Sequence, residues 1–257
     1  MPVTSPLPPE NSGIIAPAPW QLNGKGYVVA VWMPYPNNTA DKPEVDKSKA
    51  KPARNLFVTL AKKAGRLRPH GRVQLLIFAH YRQSDVGPYD ELLHIPHLSH
   101  GIVAGYPSID KIYVSTMASV INGQQNWGIS KQLAEFDYQQ DSAATQLQAE
   151  SIQLKTLDQQ AIAQIELQAN RFTFPVSTAL IPARLRTLVQ DWGGKRFYTA
   201  PEASGQACLA TIKNWWFDPF YFPDLSQGKV LAAFKMTHFK MTFPPATMTQ
   251  ANLAQPG

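Results

Sequence analysis

A chain of 257 residues with one cysteine, Cys208, cannot build an intrachain disulfide framework, and that scarcity fits a reducing, cytoplasmic setting. No apolar run approaches the ~20 residues that a membrane-spanning helix needs, so no membrane partner is expected. The opening Met1-Pro2-Val3-Thr4-Ser5-Pro6-Leu7-Pro8-Pro9-Glu10 lacks a basic region followed by a hydrophobic core, and a secretory signal is not expected there. Also missing are a Walker-type phosphate loop, a dinucleotide fingerprint and a Gly-x-Ser-x-Gly elbow, which removes the chemistries those motifs carry. There is no internal repeat.

Charge is sparse at 16%, and the net +6 is concentrated. Between Asp41 and Arg72 stand ten Lys or Arg against three Asp or Glu, which accounts for the whole excess. Lys42 to Arg54 reads as a Pro-containing surface loop. Leu56, Phe57, Leu60 and Ala61 are spaced for a short amphipathic helix whose cations, Lys62 to Arg68, gather towards its C-terminal end. No aromatics interleave with these charges as a base-stacking platform requires, so nucleic acid is not expected as a partner.

What is present is mostly strand. Tyr27 to Met33, Val73 to Tyr81 and Lys111 to Val114 are short apolar or alternating runs, as are Ser151 to Leu157, Ile162 to Leu167, Cys208 to Trp216 and Val230 to Phe243. Ser115 or Thr116 is placed to cap a short helix ending near Asn122-Gly123, and Pro182 to Gln190 reads as helical. With 22 prolines and 15 glycines at the breaks, the pattern predicts an α+β fold of mainly antiparallel strands curled into a barrel-like sheet with few short helices. A single domain is expected over 15–245, between a flexible lead at 1–14 and a tail at 246–257.

His94, His97 and His100 recur every third residue, the spacing of one helix face, and three imidazoles so placed would suit zinc. Pro96 and Gly101 oppose a helix there, and no cysteine or carboxylate stands at ligand spacing, so neither a metal nor any other cofactor is expected.

One lysine is set apart from the others. Lys131 lies in Asn126-Trp127-Gly128-Ile129-Ser130-Lys131-Gln132-Leu133, an uncharged run, whereas the other lysines mostly occur in charged stretches. An amine in such surroundings loses water, and complete burial disfavours an ammonium by as much as ~3–5 pKa units. That is one route by which a weak nucleophile becomes able to attack carbonyl carbon at neutral pH. Forty positions upstream is an acidic turn, Gly87-Pro88-Tyr89-Asp90-Glu91.

These two motifs resemble those of the acetoacetate decarboxylase superfamily, in the family's order and at about its spacing. Its members carry a Gly-x-Tyr-x-Glu turn and, downstream, an apolar residue, proline, the Schiff-base lysine, often a second lysine, and leucine. A weaker match is Pro19-Trp20-Gln21-Leu22-Asn23-Gly24 at the start of the first strand. The similarity covers roughly 15–245. It implies a Schiff-base lyase acting on a keto acid or related carbonyl compound, with Lys131 as nucleophile and Glu91 carrying protons or orienting substrate. Tyr89, Gln132 and Lys25 would contact that substrate, Lys25 lying close to the position of a family arginine. It also implies a homo-oligomer.

The sequence departs from the family pattern at three places. Ser130 replaces the proline, Gln124-Gln125 stands near an Arg-Glu pair, and Gln132 replaces the second lysine. At ~4 Å and an effective dielectric of about 20, a second ammonium would disfavour the first by roughly 4 kcal/mol; Gln132 supplies none of this, which leaves burial to activate Lys131. Decarboxylation, aldol addition and dehydration all pass through one iminium, so an aldolase or dehydratase using the same lysine is the alternative. A non-catalytic small-ligand-binding protein on the same scaffold is the other.

Overall fold

Period-two alternation of buried side chains runs through most of the chain, and it is this pattern that a two-faced sheet requires. The computed structural model describes residues 13–35, 71–140 and 148–251. Its strands are β1 (Trp20–Pro34), β2 (Gly71–Gln83), β3 (Tyr89–Ile95), β4 (Lys111–Val114), β5 (Gln132–Leu133), β6 (Glu135–Gln140) and β7 (Gln148–Lys155). They continue with β8 (Ala161–Ser177), β9 (Leu188–Trp192), β10 (Lys195–Thr199), β11 (Glu202–Phe217), β12 (Lys229–Phe243) and β13 (Thr247–Gln250). The helices are α1 (Met117–Trp127) and the single turn α2 (Ala183–Arg186). The amphipathic helix and basic loop expected between Asp41 and Arg68, and the lead before Gly13, lie outside the described residues.

Ten strands form one sheet in the order β5-β4-β3-β2-β1-β12-β11-β8-β7-β6, antiparallel except for β4 with β5. β5 and β6 stand at opposite ends of this order, yet only Ala134 separates them in sequence. The sheet therefore curls until its edges nearly meet, and the expected single-domain, barrel-like α+β fold is what the chain adopts. Among the described residues no helix is long and apolar enough to cross a membrane.

The two faces of the sheet carry separate cores. Inside the barrel are Val29, Val31, Leu76, Phe78, Leu92 and Ile152. On the outer face Trp20, Tyr81, Tyr89, Val114 and Phe239 pack against α1 through Trp127. The rings of Trp20 and Trp127 meet edge to face at 4.9 Å, and the Trp127 indole donates to Pro244 O at 2.7 Å. Asn122 of α1 accepts from Ala16 N and donates to Ile14 O, both at 2.7 Å, so the segment before β1 is strapped to the helix.

Local sequence misjudged three ends. α1 runs one turn beyond Gly123, because the left-handed residue that stops it is Gly128 (φ 64°). Helix over 182–190 is limited to α2, since Leu188–Trp192 pairs with β10 in a three-stranded sheet, β13-β10-β9. Residues 247–250, expected as tail, are the third strand of that sheet.

One end of the barrel interior is polar. Lys235 of β12 reaches across to β7, where its ammonium donates to Glu150 and to Gln148 Oε1 (2.6 Å). Tyr27 of β1 and Tyr138 of β6 both donate to Glu150 Oε2 at 2.7 Å. Burial, then the Glu150 charge, pushes both phenols well above their ordinary value. Removing one member of a buried pair strands the other. Lys235→Met is expected to cost roughly 3–5 kcal/mol in urea denaturation, and adding Glu150→Gln, which keeps the phenols' acceptor while deleting its charge, to recover part of that loss.

Candidate functional site

Alternation along β3 sends Tyr89, Glu91, Leu93 and Ile95 to the face covered by α1, and Asp90 and Leu92 to the barrel interior. Glu91 sits mid-sheet, opposite Ala79 of β2 and Val114 of β4, so its backbone is held on both sides. Lys131 arrives from the other direction. Thr116 caps α1 by accepting from Ser119 N, and beyond Trp127 the Gly128 N–H bonds back to Gln124 O at 2.9 Å. The Lys131 N–H then bonds to Ile129 O at 3.0 Å, which turns the chain into β5 and points the lysine side chain under the helix.

There the ammonium donates to Glu91 Oε2 at 2.9 Å and to Ser119 Oγ at 3.0 Å. Its nitrogen lies 5.3 Å from the centre of the Tyr89 ring. Tyr81 donates to the other carboxylate oxygen, Glu91 Oε1, at 3.1 Å, and the Tyr81 and Tyr89 rings lie 4.6 Å apart. The side chains of Lys131 and Glu91 are only 5% and 8% exposed, so the pair is cut off from bulk water. Burial pushes the Tyr89 phenol well above its ordinary value, the Glu91 charge pushes it further, and the Ser119 hydroxyl nearby draws it partly back. Burial and Glu91 raise Tyr81 in the same way.

Of the five residues singled out from sequence, Lys131, Glu91 and Tyr89 meet here. Gln132 is exposed, and alternation turns it to the face opposite Lys131. Lys25 is also on the other face: its register partner is His80, which bonds Asp90 at 2.7 Å, and its ammonium reaches Gln140 Oε1 (2.8 Å) over the Tyr138 ring. Burial lowers the Lys25 ammonium below its ordinary value, Glu150 opposes that, and Arg82 and Lys235 add to it. The sheet separates it from Lys131.

Three contributors escaped sequence reasoning. Ser119 is fully buried on α1, and Gly123, one turn later, leaves the groove through which Lys131 passes. Small residues at i and i+4 on a helix face were the available signal. Tyr81 pairs with Tyr89 across the β2–β3 hairpin, which sequence alone could have given only from the turn's register.

The interior pair offers a contrast. Glu150 already accepts from three donors, whereas Glu91 accepts from two. Glu91 has one donor on each oxygen, whereas Glu150 has two on Oε2 and one on Oε1.

The His94-His97-His100 spacing does not make a metal centre: His94 is buried between Asp110 (2.7 Å) and Gln74 (2.8 Å), and no group of three or more His, Cys, Asp or Glu among the described residues is arranged to hold one. Burial, then the charges of His100 and Arg72, holds the His97 imidazole down at about 4. Its folded-state value is below the ordinary one of ~6.5, so the unfolded chain binds more protons between those values and stability there falls as pH drops from 6.5 through 4. A proton NMR titration of His97 should find its midpoint near the lower limit.

No protein-family model matches the chain, and no curated protein matches it. Solved structures do. An acetoacetate decarboxylase from Legionella pneumophila superposes with a TM-score of 0.59 at 12% identity, over 93% of this chain and 90% of the other. An acetoacetate decarboxylase-like enzyme from Sphingomonas wittichii gives 0.54 at 11%, over 92% and 95%. The enduracididine biosynthesis enzyme MppR, solved with the condensation product of pyruvate and imidazole 4-carboxaldehyde, gives 0.52 at 12%, over 92% and 91%. The likeness is one of fold: the chain has the acetoacetate decarboxylase fold across more than nine-tenths of its length.

A Cβ at Gly123 would stand 2.6 Å from Lys131 Cε and 3.0 Å from Cδ. Gly123→Ala is therefore expected to displace the lysine while gaining up to ~1 kcal/mol of helix propensity. Denaturation midpoint should change little, and labelling of Lys131 by a small amine reagent, followed by mass spectrometry, should speed up.

Proposed function

We propose that the chain is a Schiff-base lyase acting on a keto acid or related small carbonyl compound, with Lys131 as nucleophile and Glu91 as its proton partner. The observation that carries this reading is a buried amine hydrogen-bonded to a buried carboxylate at 2.9 Å, in a protein with the acetoacetate decarboxylase fold. Packing alone does not explain such a pair, because replacing both partners with hydrocarbon is often neutral or stabilising; a proton acceptor beside the amine is what the proposed chemistry uses.

The step balances within the pair. The Lys131 ammonium gives one proton to Glu91, leaving a neutral amine and a neutral acid. The amine nitrogen adds to the carbonyl carbon, the C=O π bond opens, and a proton passes from nitrogen to the oxygen to give a carbinolamine. Glu91 returns its proton to the departing hydroxyl, water leaves, and an iminium remains opposite a restored carboxylate. That iminium draws electrons from the adjacent carbon, so a β-carboxylate can depart as carbon dioxide or an α-proton can be removed for aldol chemistry. Tyr81, donating to Glu91 Oε1, leaves Oε2 as the oxygen that exchanges the proton.

Gln132 and Lys25, being on the face away from the amine, make no substrate contact in this reading. Aldolase or dehydratase chemistry on the same lysine is favoured by one finding: MppR, a fold neighbour, was solved with a pyruvate–aldehyde condensation product. We take a homo-oligomer in the cytoplasm as the working assembly.

Borohydride reduction in the presence of pyruvate, acetoacetate or acetylacetone, followed by peptide mass mapping, tests the reading. The expected result is an adduct on Lys131 that is lost in Lys131→Ala and reduced by about 10²-fold or more in Glu91→Gln. Absence of any adduct across the three probes overturns it in favour of a binding protein.

A further inference from the structure

The Lys131–Glu91 pair is closed, its side chains only 5% and 8% exposed, so no ketone reaches the amine unless something moves. The elements beside it differ in how firmly they are held. β3 has a paired strand on each side, and α1 is packed through Trp127 against Trp20 and Phe243. Residues 14–18 are held otherwise. Within them only Ala16 is buried, while Ile14 is exposed and Ile15 is 84% exposed. Their attachment to α1 is polar. Ala16 N donates to Asn122 Oδ1 and Asn122 Nδ2 to Ile14 O, both at 2.7 Å. Asn126 Nδ2 donates to Ala16 O at 2.8 Å, and Ala18 N to Asn126 Oδ1 at 3.3 Å. Such bonds exchange for bonds to water, whereas buried apolar surface has no substitute there, so a segment fastened this way opens more easily than the helix or the sheet.

The segment and the lysine meet one stripe of the helix. Ser119, Asn122, Gly123 and Asn126 stand at i, i+3, i+4 and i+7, the spacing of a single helical face. Ser119 and Gly123 adjoin Lys131, and Asn122 and Asn126 bond the segment. We propose that residues 14–18 form a movable strap whose release uncovers this stripe and opens the way to Lys131 for a small carbonyl compound, with Asn122 and Asn126 as its fastening. The passage of a carbonyl compound rests on the Schiff-base reading of Lys131; the covering of that amine by the strap does not.

Trp20 is the fixed end of the strap. Its ring is buried against Trp127, and its indole donates to Ala16 O at 2.8 Å, so residues 14–18 can leave the helix while β1 stays in the sheet. Opening disturbs little of the apolar core, because Ile14 and Ile15 already face solvent and Ala16 alone loses its cover. Each asparagine amide offers one acceptor and one donor group to the strap, and both are satisfied by water when it leaves and by backbone when it returns. Two demands on the site are thereby reconciled. Proton exchange inside the pair works best dry, and entry of a substrate needs an opening; a strap that alternates between the two states serves both.

The test compares full-length wild type with Asn126→Ala, which removes the Ala16 O and Ala18 N fastenings, and with Met117→Ala, an exposed position on the opposite side of α1. Two rates are read: hydrogen exchange at the Ala16 N–H, and acetylation of Lys131 by trace acetic anhydride, followed by peptide mass mapping. In Asn126→Ala the Ala16 N–H keeps its own acceptor, Asn122, so faster exchange there reports release of the strap. Both rates are expected to rise by the same factor, roughly tenfold, and neither to change in Met117→Ala. Unchanged acetylation of Lys131 in Asn126→Ala, or an equal rise in Met117→Ala, overturns the strap. Wild type gives the same answer should Asn126→Ala be poorly folded: across mild urea the two rates should climb in parallel, with a slope shallower than that of global unfolding, and divergent slopes overturn the proposal. Borohydride trapping with acetylacetone on the same samples separates the two readings, since a Lys131 that is acetylated faster on release yet never forms an adduct leaves the strap standing and removes the Schiff-base reading.

Discussion

Two opposite charges, Lys131 and Glu91, share an apolar layer between a helix and a sheet, and the local structure is arranged around keeping them 2.9 Å apart. Removing either ion from water carries a penalty of several kcal/mol. Mutual attraction offsets this only if the geometry is tightly held. The sheet holds the carboxylate, because Glu91 has a paired strand on each side. The helix holds the amine, because Gly128 ends α1 at the point from which a lysine three residues on can turn back beneath it. Gly123 provides the passage, since any side chain there would occupy the space of the lysine's methylenes. Trp20, Trp127 and Phe239 keep the surroundings dry.

Much of this was written in short stretches of sequence. The Glu91 turn and the Lys131 run were legible as motifs, and the strands were legible from alternation, since one face of nearly every strand is apolar. What was not legible depends on residues distant in the chain. Leu188–Trp192 carries helix-compatible residues and becomes β9 because β10 offers it a partner, a nonlocal preference that local propensity does not contain. The closing of the barrel through Ala134 follows from two edges meeting, which no single segment records. Lys25 and Lys131 looked like parts of one site by analogy of position. Strand parity separates them: His80 and Asp90 carry Lys25's side of the sheet inward, while Tyr81 and Glu91, the next residue of each strand, face α1.

The sheet therefore carries an amine–carboxylate pair on each face, and the two differ in how far their carboxylates are engaged. Glu150 receives an ammonium and two phenols, so its charge is locked into the barrel's polar end. Glu91 receives one phenol and one ammonium, and the remaining ammonium contact goes to a serine. Residue types are nearly the same in both places. The two pairs differ in the number of donors per carboxylate oxygen, and that number depends on which strands the barrel brings together.

In the proposed reaction the amine has to become reactive without a cationic neighbour. Gln132 offers no charge, and its parity puts it on the face away from Lys131, so an ammonium at 132 would act through the sheet rather than beside the nitrogen. Close repulsion is therefore not the device available to this chain. The alternative is internal to the pair. Moving a proton from ammonium to carboxylate turns two buried ions into two neutral groups, and a medium poor in water penalises ions far more than neutral groups. In the proposed reaction a bound ketone would exclude water further and favour the neutral form of the pair at the moment when a nucleophile is needed. In the proposed reaction activation therefore comes from proton exchange inside a dry pair, and not from a cation at position 132.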